Sequence, residues 1–318
     1  MSGTNSLTYS DRMGRATCAW LGVVASLTVA IDLTSAQAPT APPTAFEVMA
    51  DTERAFARRA LDVGWKQAFL DYLAEGAVGF QAGEVGLAKT QTSNNPDPPA
   101  GVLLAWEPRL GDMSGSGELG FLTGPVLSQA PGRPPRHQVY ASIWKRQRDG
   151  TFKVVLDVVV PTPRAAAFAP GLGRAALTNR FSGDYDDRTP PLAAADNILN
   201  SALRASQARG YRGRLAPNAR LHRPGVQPLV GETRILAWLA GQPRFTLGDG
   251  RYGESARSGD LGYTWGTYQL VRPAAASAGG QPGRGGQSAS VEEGFYARVW
   301  TRERTGQWRV ALDVLQPQ

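Results

Sequence analysis

Apolar residues recur at helical spacing through 46–73 (Phe46, Met49, Phe56, Leu61, Trp65, Phe69 and Leu73), which predicts a helix broken near Gly64. A weaker copy of this pattern runs through 192–215. After 73 the period changes. Short runs rich in β-branched and aromatic residues predict strands over 77–80, 102–108, 119–129, 137–148 and 151–160. Asp149-Gly150 joins the last two and predicts a two-residue hairpin loop, since both turn positions favour residues that tolerate positive φ. Thr305-Gly306 takes the same place later in the chain. Residues 231–240 predict a further short helix with no counterpart in the first half. Helices first and strands afterwards, twice, is the signature of α+β domains.

The recurrence extends to the residues themselves. Residues 60–83 align without a gap to 202–225 at an offset of 142, and the same offset carries Ser116-Gly117-Glu118-Leu119-Gly120-Phe121 onto Ser258-Gly259-Asp260-Leu261-Gly262-Tyr263. The string YASIWKRQRDGTFKVVLDV (140–158) matches YARVWTRERTGQWRVALDV (296–314) at an offset of 156. The difference falls in 273–290, a Gly, Ala and Ser-rich stretch of the kind a hairpin loop absorbs at small entropic cost. The expected organisation is therefore a first domain over 46–163, a connector over 164–191 with a short helix near 165–168, and a second domain over 192–318.

A two-residue loop at Asp149-Gly150 fixes a register. Trp144 lies opposite Val155, Ser142 opposite Asp157 and Tyr140 opposite Val159; in the second copy Trp300 meets Ala311, Arg298 meets Asp313 and Tyr296 meets Leu315. Both faces of each hairpin are then substantially apolar, as a sheet covered on both sides requires. Asp157 and Asp313 interrupt apolar strands, and a buried carboxylate costs several kcal/mol unless paired or protonated. Each is a candidate catalytic acid or base with Tyr140 or Tyr296 as hydrogen-bond donor. A structural role competes with this, Asp313 being satisfied by Arg298 and Asp157 by Ser142 and neighbouring donors. Trp106, Glu118, Trp144, His222 and Trp300 complete the candidate ligand-binding set with Tyr140, Tyr296 and Arg298.

Composition narrows the chemistry. The chain has 318 residues and one cysteine, Cys18, so it holds no intramolecular disulfide and no cysteine-cluster metal site. Two histidines, His137 and His222, leave little for zinc or a Ser-His-Asp triad, and no metal or cofactor is expected. The 34 basic residues outnumber the 27 acidic ones for a net charge of +7, but no basic run exceeds a pair such as Arg58-Arg59. Nucleic-acid binding needs several phosphates contacted together by a basic stripe, so no nucleic-acid partner is expected.

The start of the chain has a different character. Arg12 and Arg15 precede an uncharged stretch, 16–31, closed by Asp32, which is shorter than the roughly 20 apolar residues of a membrane span and suits a signal-peptide core. Small residues follow at Thr34-Ser35-Ala36, so 1–36 is expected to be removed on export, with 37–45 as a Pro, Ala and Thr-rich linker and Met13 as an alternative start. A secreted or periplasmic location follows, without stable membrane insertion after cleavage.

The two helices, FLDYLAEGAVGF (69–80), the Trp-Glu-Pro of 106–108, SGELGF (116–121) and the closing YxxWKRxxDGxxKVVLD pattern together resemble the nuclear transport factor 2-like superfamily, specifically a branch of unknown function near the polyketide cyclases and ketosteroid isomerases. The resemblance covers nearly all of 46–160 and, more loosely, 192–315. It implies two tandem cone-shaped α+β domains, each a curved antiparallel sheet wrapped around N-terminal helices with a pocket on its concave side. It also implies pairing through the convex side, here as an intramolecular pseudo-dimer. A fold of this kind hosts many functions, so it implies no reaction. The expected function is binding of a small apolar or amphipathic ligand. The alternatives are a cofactor-independent lyase, isomerase or hydrolase using carboxylate acid-base catalysis, and a non-catalytic protein-interaction module.

Overall fold

A computed structural model of the chain describes residues 42–318 except 82, 176–180, 182–190, 244, 249–251 and 273–289. The predicted export segment, Cys18 and most of the 37–45 linker lie outside the described residues, as does nearly all of the 273–290 insertion. In chain order the elements of the first half are α1 (Ala45–Val63), α2 (Trp65–Tyr72), β1 (Leu73–Gln81), β2 (Glu84–Leu87), α3 (Ala88–Asn94), β3 (Leu103–Trp106), β4 (Leu110–Met113), β5 (Leu119–Gln129), β6 (Arg136–Arg146), β7 (Phe152–Pro161) and β8 (Gly173–Arg174). Those of the second are α4 (Leu192–Ala205), α5 (Gln207–Tyr211), β9 (Leu215–His222), β10 (Leu229–Val230), α6 (Glu232–Leu239), β11 (Phe245–Leu247), β12 (Tyr252–Ser255), β13 (Leu261–Arg272), β14 (Ser290–Arg302) and β15 (Trp308–Pro317).

Local chemistry starts and stops these elements. Thr44 caps α1 reciprocally: its hydroxyl accepts from the Glu47 N–H at 3.3 Å while Glu47 Oε2 accepts from the Thr44 N–H at 2.7 Å. At Gly64 the backbone turns to φ +88°, which separates α1 from α2 as the periodicity predicts. Ser206 makes the corresponding break before α5 and caps it at Arg209 N.

The fold is α+β, with two separate sheets and helices at the N-terminal end of each half. The first sheet runs β2-β1-β7-β6-β5-β4-β8 with β3 also on β5; the second runs β10-β9-β15-β14-β13-β11 with β12 also on β13. Each helix, too, has its match in order. The helix expected only at 231–240 is α6, and α3 follows β2 as α6 follows β10, so the first half has not lost it. Sequence pattern missed α3 because AKTQTSN offers no apolar stripe. The sheets are not wholly antiparallel: β1 runs parallel to β7 and β9 parallel to β15. In the connector no helix forms at 165–168; instead Gly173–Arg174 adds a short parallel strand beside β4.

Two glycines of the repeated SG[DE]LG string carry structural duties. Gly117 and Gly259 take φ of +72° and +66° in matching turns, each closed by a backbone bond to Ser114 O or Ala256 O. A Cβ on Gly120 would sit 2.6 Å from Met49 Sδ, and one on Gly262 would sit 2.5 Å from Leu192 Cδ2, so each glycine lets the first helix of its half lie against the sheet. This contact pairs Met49 with Leu192, an offset of 143. The first helices are therefore matched one residue away from the gap-free alignment, which holds from the breaks at Gly64 and Ser206 onward and places Leu73 beside Val154 as it places Leu215 beside Val310.

The hairpin register is partly as expected. Ser142 pairs Asp157, Tyr140 pairs Val159, Arg298 pairs Asp313 and Tyr296 pairs Leu315. Trp144, however, pairs Val154 rather than Val155, and Trp300 pairs Val310 rather than Ala311. The loops hold three residues, closed by Gln147 N–H to Thr151 O and by Glu303 N–H to Gln307 O, with Gly150 and Gly306 at φ of +87° and +85°. A bulge after Ile143 and after Val299 takes up the extra residue and restores the expected register beyond it.

Side chains of the two halves meet around the repeated string. Ser116 N–H donates to Ser258 Oγ at 3.1 Å, Ser258 N–H donates to Ser116 Oγ at 3.2 Å, and the two hydroxyls lie 2.8 Å apart. Gly115 N–H donates to Asp260 at 3.0 Å and Arg257 N–H donates to Glu118 Oε1 at 2.6 Å, again the same contact made in both directions. Phe80 stacks on Phe295 with ring centroids 4.4 Å apart, and the buried cluster of the first half continues into Tyr263, Trp265, Val299, Leu312 and Val314.

Candidate functional site

The polar centre of the first half is assembled on β6. Its inward residues Tyr140, Ser142 and Trp144 face Glu53, which α1 projects from the apolar stripe of Met49, Phe56 and Ala60. Glu53 is 1% exposed and accepts from Trp106 Nε1 at 2.6 Å, Ser142 Oγ at 2.7 Å and Trp144 Nε1 at 2.7 Å. Burial outweighs these three donors and raises its carboxyl above the usual range. Phe56 closes the other side of the group, edge-on to Trp106 at 4.8 Å and stacked on Tyr72 at 4.9 Å.

Asp157 stands opposite Ser142 on β7 but makes no hydrogen bond to it. The carboxyl is half-buried, has no hydrogen-bond or ion-pair partner among the described residues, and lines a cavity of about 160 Å³ whose wall is part apolar (Phe69, Leu73, Val78, Phe80 and Ala88) and part polar (Gln81, Gln91 and Thr92). Burial, followed by the nearby Glu53 charge, pushes it up to about 8. The Tyr140 hydroxyl is buried without a partner, and burial plus the charges of Glu53 and Asp157 hold its proton firmly.

The second half has the same scaffold and different electrostatics. Asp196 on α4 is again a buried acid, 1% exposed, and accepts from Tyr296 OH at 2.7 Å and Thr264 Oγ1 at 2.8 Å; Thr264 Oγ1 in turn accepts from Trp300 Nε1 at 2.8 Å. Where the first half has Ser142, Arg298 reaches Asp196 Oδ1 and Asp313 Oδ2, both at 2.7 Å, and also Asn200 Oδ1. Asp313 additionally accepts from Tyr211 OH and lies 2.7 Å from Arg223 Nη2. Both arginines hold its carboxyl below the usual range against the cost of burial, and its acidic partners hold Arg298 firmly charged. The cross-strand pair read from the sequence is present, within a larger buried network than the hairpin alone predicts.

Other candidates fall elsewhere. Glu118 lies at the loop contact between the halves, where the Ser116 side chain and then the Arg257 N–H and guanidinium lower its carboxyl against the effect of burial. His222 is buried on β9 with both ring nitrogens unpartnered among the described residues; burial and the neighbouring Arg220 and Arg223 drop it to about 3, so it stays neutral. Glu53 and Asp196 were not among the sequence candidates. The signal available was an acid at a core position of an amphipathic helix, since Glu53 follows Met49 by four residues and precedes Phe56 by three. Among the described residues no group of His, Cys, Asp and Glu could hold a metal, and no helix is long and apolar enough to cross a membrane.

No family model matches the chain, and no curated protein matches it. Solved structures do. A ketosteroid isomerase-like protein from Erwinia carotovora atroseptica is 11% identical, with 42% of this chain and 98% of that one covered at a TM-score of 0.32. A nuclear transport factor 2-like superfamily protein from Salmonella enterica is 12% identical over 40% of this chain and 87% of its own, at 0.30. The CaMKII hub of S. rosetta is 13% identical over 42% and 99%, at 0.33. The solved structures to which this α+β chain is similar thus include a nuclear transport factor 2-like and a ketosteroid isomerase-like protein, each matching about two fifths of it.

Proposed function

We propose that this is an exported protein whose halves pair within one chain as a pseudo-dimer, and whose first half binds a small, largely apolar ligand that accepts a hydrogen bond from protonated Asp157. The observation that carries the reading is an acid raised to about 8, without a partner among the described residues, on the wall of a cavity where apolar side chains stand beside Gln81, Gln91 and Thr92. At neutral pH such a carboxyl keeps its proton and can donate it in a hydrogen bond, while Phe69, Leu73, Val78, Phe80 and Ala88 pack against the apolar body of the ligand. Pairing within the chain is supported by the reciprocal Ser116 and Ser258 bonds and the Phe80–Phe295 stack. Export rests on the 16–31 segment, and a mature terminus near Gln37 in the extracellular or periplasmic fraction is the mass-spectrometric result it requires.

Cyclohexanone, a compact apolar acceptor, tests the site. It should bind at pH 6, weaken at least tenfold by pH 9.5, bind at both pH values in Asp157→Asn, and fail in Asp157→Leu. Binding that ignores both pH and Asp157→Leu would overturn the reading. A second reading, acid-base catalysis of lyase, isomerase or hydrolase type, is favoured by one observation: Glu53 and Asp157 are two neighbouring acids, both raised, beside an unpartnered Tyr140 hydroxyl.

A further inference from the structure

The second half has a cavity away from its saturated centre. It measures about 290 Å³ and is lined by Trp238 of α6, Phe245 of β11, Leu270 of β13 and Leu315 of β15, with Gln207 of α5 and Arg223 at the end of β9. These last two residues are each 3% exposed, and each has a buried polar atom with neither a hydrogen bond nor an ion pair among the described residues: the Gln207 Oε1 acceptor and the Arg223 Nε–H donor. The remaining atoms of both side chains are occupied. Gln207 Nε2 donates to Pro243 O, which fixes the amide so that its oxygen is the free end. Arg223 Nη1 donates to the carbonyls of His222 and Asp313, and Nη2 lies against the Asp313 carboxylate. An unpaired buried donor and an unpaired buried acceptor are each costly, so a cavity bordered by one of each is matched by a molecule that carries both.

We propose that this cavity is a second ligand site, specific for a neutral aromatic or aliphatic carboxamide. The ligand carbonyl accepts from Arg223 Nε–H, its N–H donates to Gln207 Oε1, and its apolar body packs against Trp238, Phe245, Leu270 and Leu315. A carboxylate is the wrong partner although an arginine is present. It has no proton for Gln207 Oε1, Asp313 already neutralises the guanidinium, and Glu292 adds a further acid to the lining. An amidinium is wrong for the opposite reason, since it has no acceptor for Arg223. The first half offers no such pair, because Trp65 and Gln81 stand at the positions of Gln207 and Arg223. The site is thus independent of Asp157 and of the ligand proposed for it.

Calorimetric titration of the full chain with benzamide, benzoate and toluene tests the assignment. Benzamide should bind once per chain, and benzoate and toluene at least tenfold more weakly. Gln207→Leu should weaken benzamide at least tenfold, and Leu270→Trp, which fills the cavity, should abolish binding while circular dichroism shows a folded chain. Saturating cyclohexanone should leave the benzamide isotherm unchanged, which separates failure here from failure of the Asp157 reading. No benzamide binding up to its solubility limit, equal affinity for benzoate, displacement by cyclohexanone, or full affinity in Gln207→Leu would each overturn the proposal. Should Leu270→Trp fail to fold, Gln207→Leu alone decides.

Discussion

Position for position, β6 carries Tyr-Ala-Ser-Ile-Trp and β14 carries Tyr-Ala-Arg-Val-Trp, and the middle residue changes the electrostatics of everything around it. Each half buries an acid from its first helix, Glu53 or Asp196, and places another at the same point of its last strand, Asp157 or Asp313. In the second half Arg298 bridges the two buried carboxylates and Arg223 adds a second cation at Asp313, whose carboxyl is held below the usual range. In the first half a serine leaves Glu53 and Asp157 without an internal cation, and burial raises both carboxyls, Asp157 to about 8. One scaffold thus yields a centre filled by its own salt bridges and a centre with hydrogen-bonding capacity to spare. Only the latter has an acid free for a ligand.

The comparison predicts its largest effect at Arg298. Arg298→Ala leaves Asp196 and Asp313 buried with one cation removed, which should cost about 3–5 kcal/mol. Ser142→Ala removes one neutral donor from Glu53, which keeps both indoles, and should cost about 1–2 kcal/mol. Urea unfolding of the two variants measures the difference, and equal midpoints would break the contrast between the halves.

A second test is pH. Asp157 has a folded value of about 8 against an ordinary value near 3.8, so the folded chain binds its proton more tightly than the unfolded chain does. The stabilisation is fully present below about pH 4 and is lost as pH rises through about 8. The stability of the wild type should fall by at least about 1 kcal/mol across that window, and Asp157→Asn should flatten the fall. Asp313 is lowered instead, so its contribution is present above about pH 4 and lost on acidification. Stability that climbs from pH 4 to 8 in wild type and variant alike would show that the Asp157 carboxyl is not raised.

Grafting the difference sharpens it. Ser142→Arg should place a cation opposite Asp157, bring its titration by carbon-13 NMR well below 8, and weaken cyclohexanone at least tenfold. A chain that keeps both the high titration and the ligand would separate Asp157 from residue 142.

How much of this was visible beforehand varies with the kind of interaction. Periodicity located α1, the Gly64 break and β5, because a long amphipathic pattern survives any packing detail. The Arg298–Asp313 pairing was legible too, although the two-residue loop assumed for it was wrong. A third loop residue shifts the register one way, and the bulge after Val299 shifts it back. Short β2, β4 and α3 carry too few residues for a period to show. The acid at residue 53 was hidden by distance. Its partners Trp106, Ser142 and Trp144 lie 53 to 91 residues away, so the one local mark was its place on the apolar stripe between Met49 and Phe56. Glu118 misled for a related reason: an acid in a repeated motif beside a strand reads as pocket lining, whereas its carboxylate serves the facing repeat.

The smallest effect concerns that facing. If the halves pair about a local twofold, residues at equivalent positions should meet themselves, and Ser116 and Ser258 do. Each hydroxyl accepts from the other's backbone N–H, and the two share one hydroxyl-hydroxyl bond of 2.8 Å. Removing either hydroxyl breaks the shared bond and one backbone acceptor, so Ser116→Ala and Ser258→Ala should each cost about 0.5–1.5 kcal/mol. The double variant loses the shared bond only once. Its cost should fall short of the sum of the single costs by at least about 0.5 kcal/mol. Additive costs would mean that the loops do not meet in solution, and the pseudo-dimer reading would lose its most specific support while the Asp157 site, built wholly within the first half, would stand.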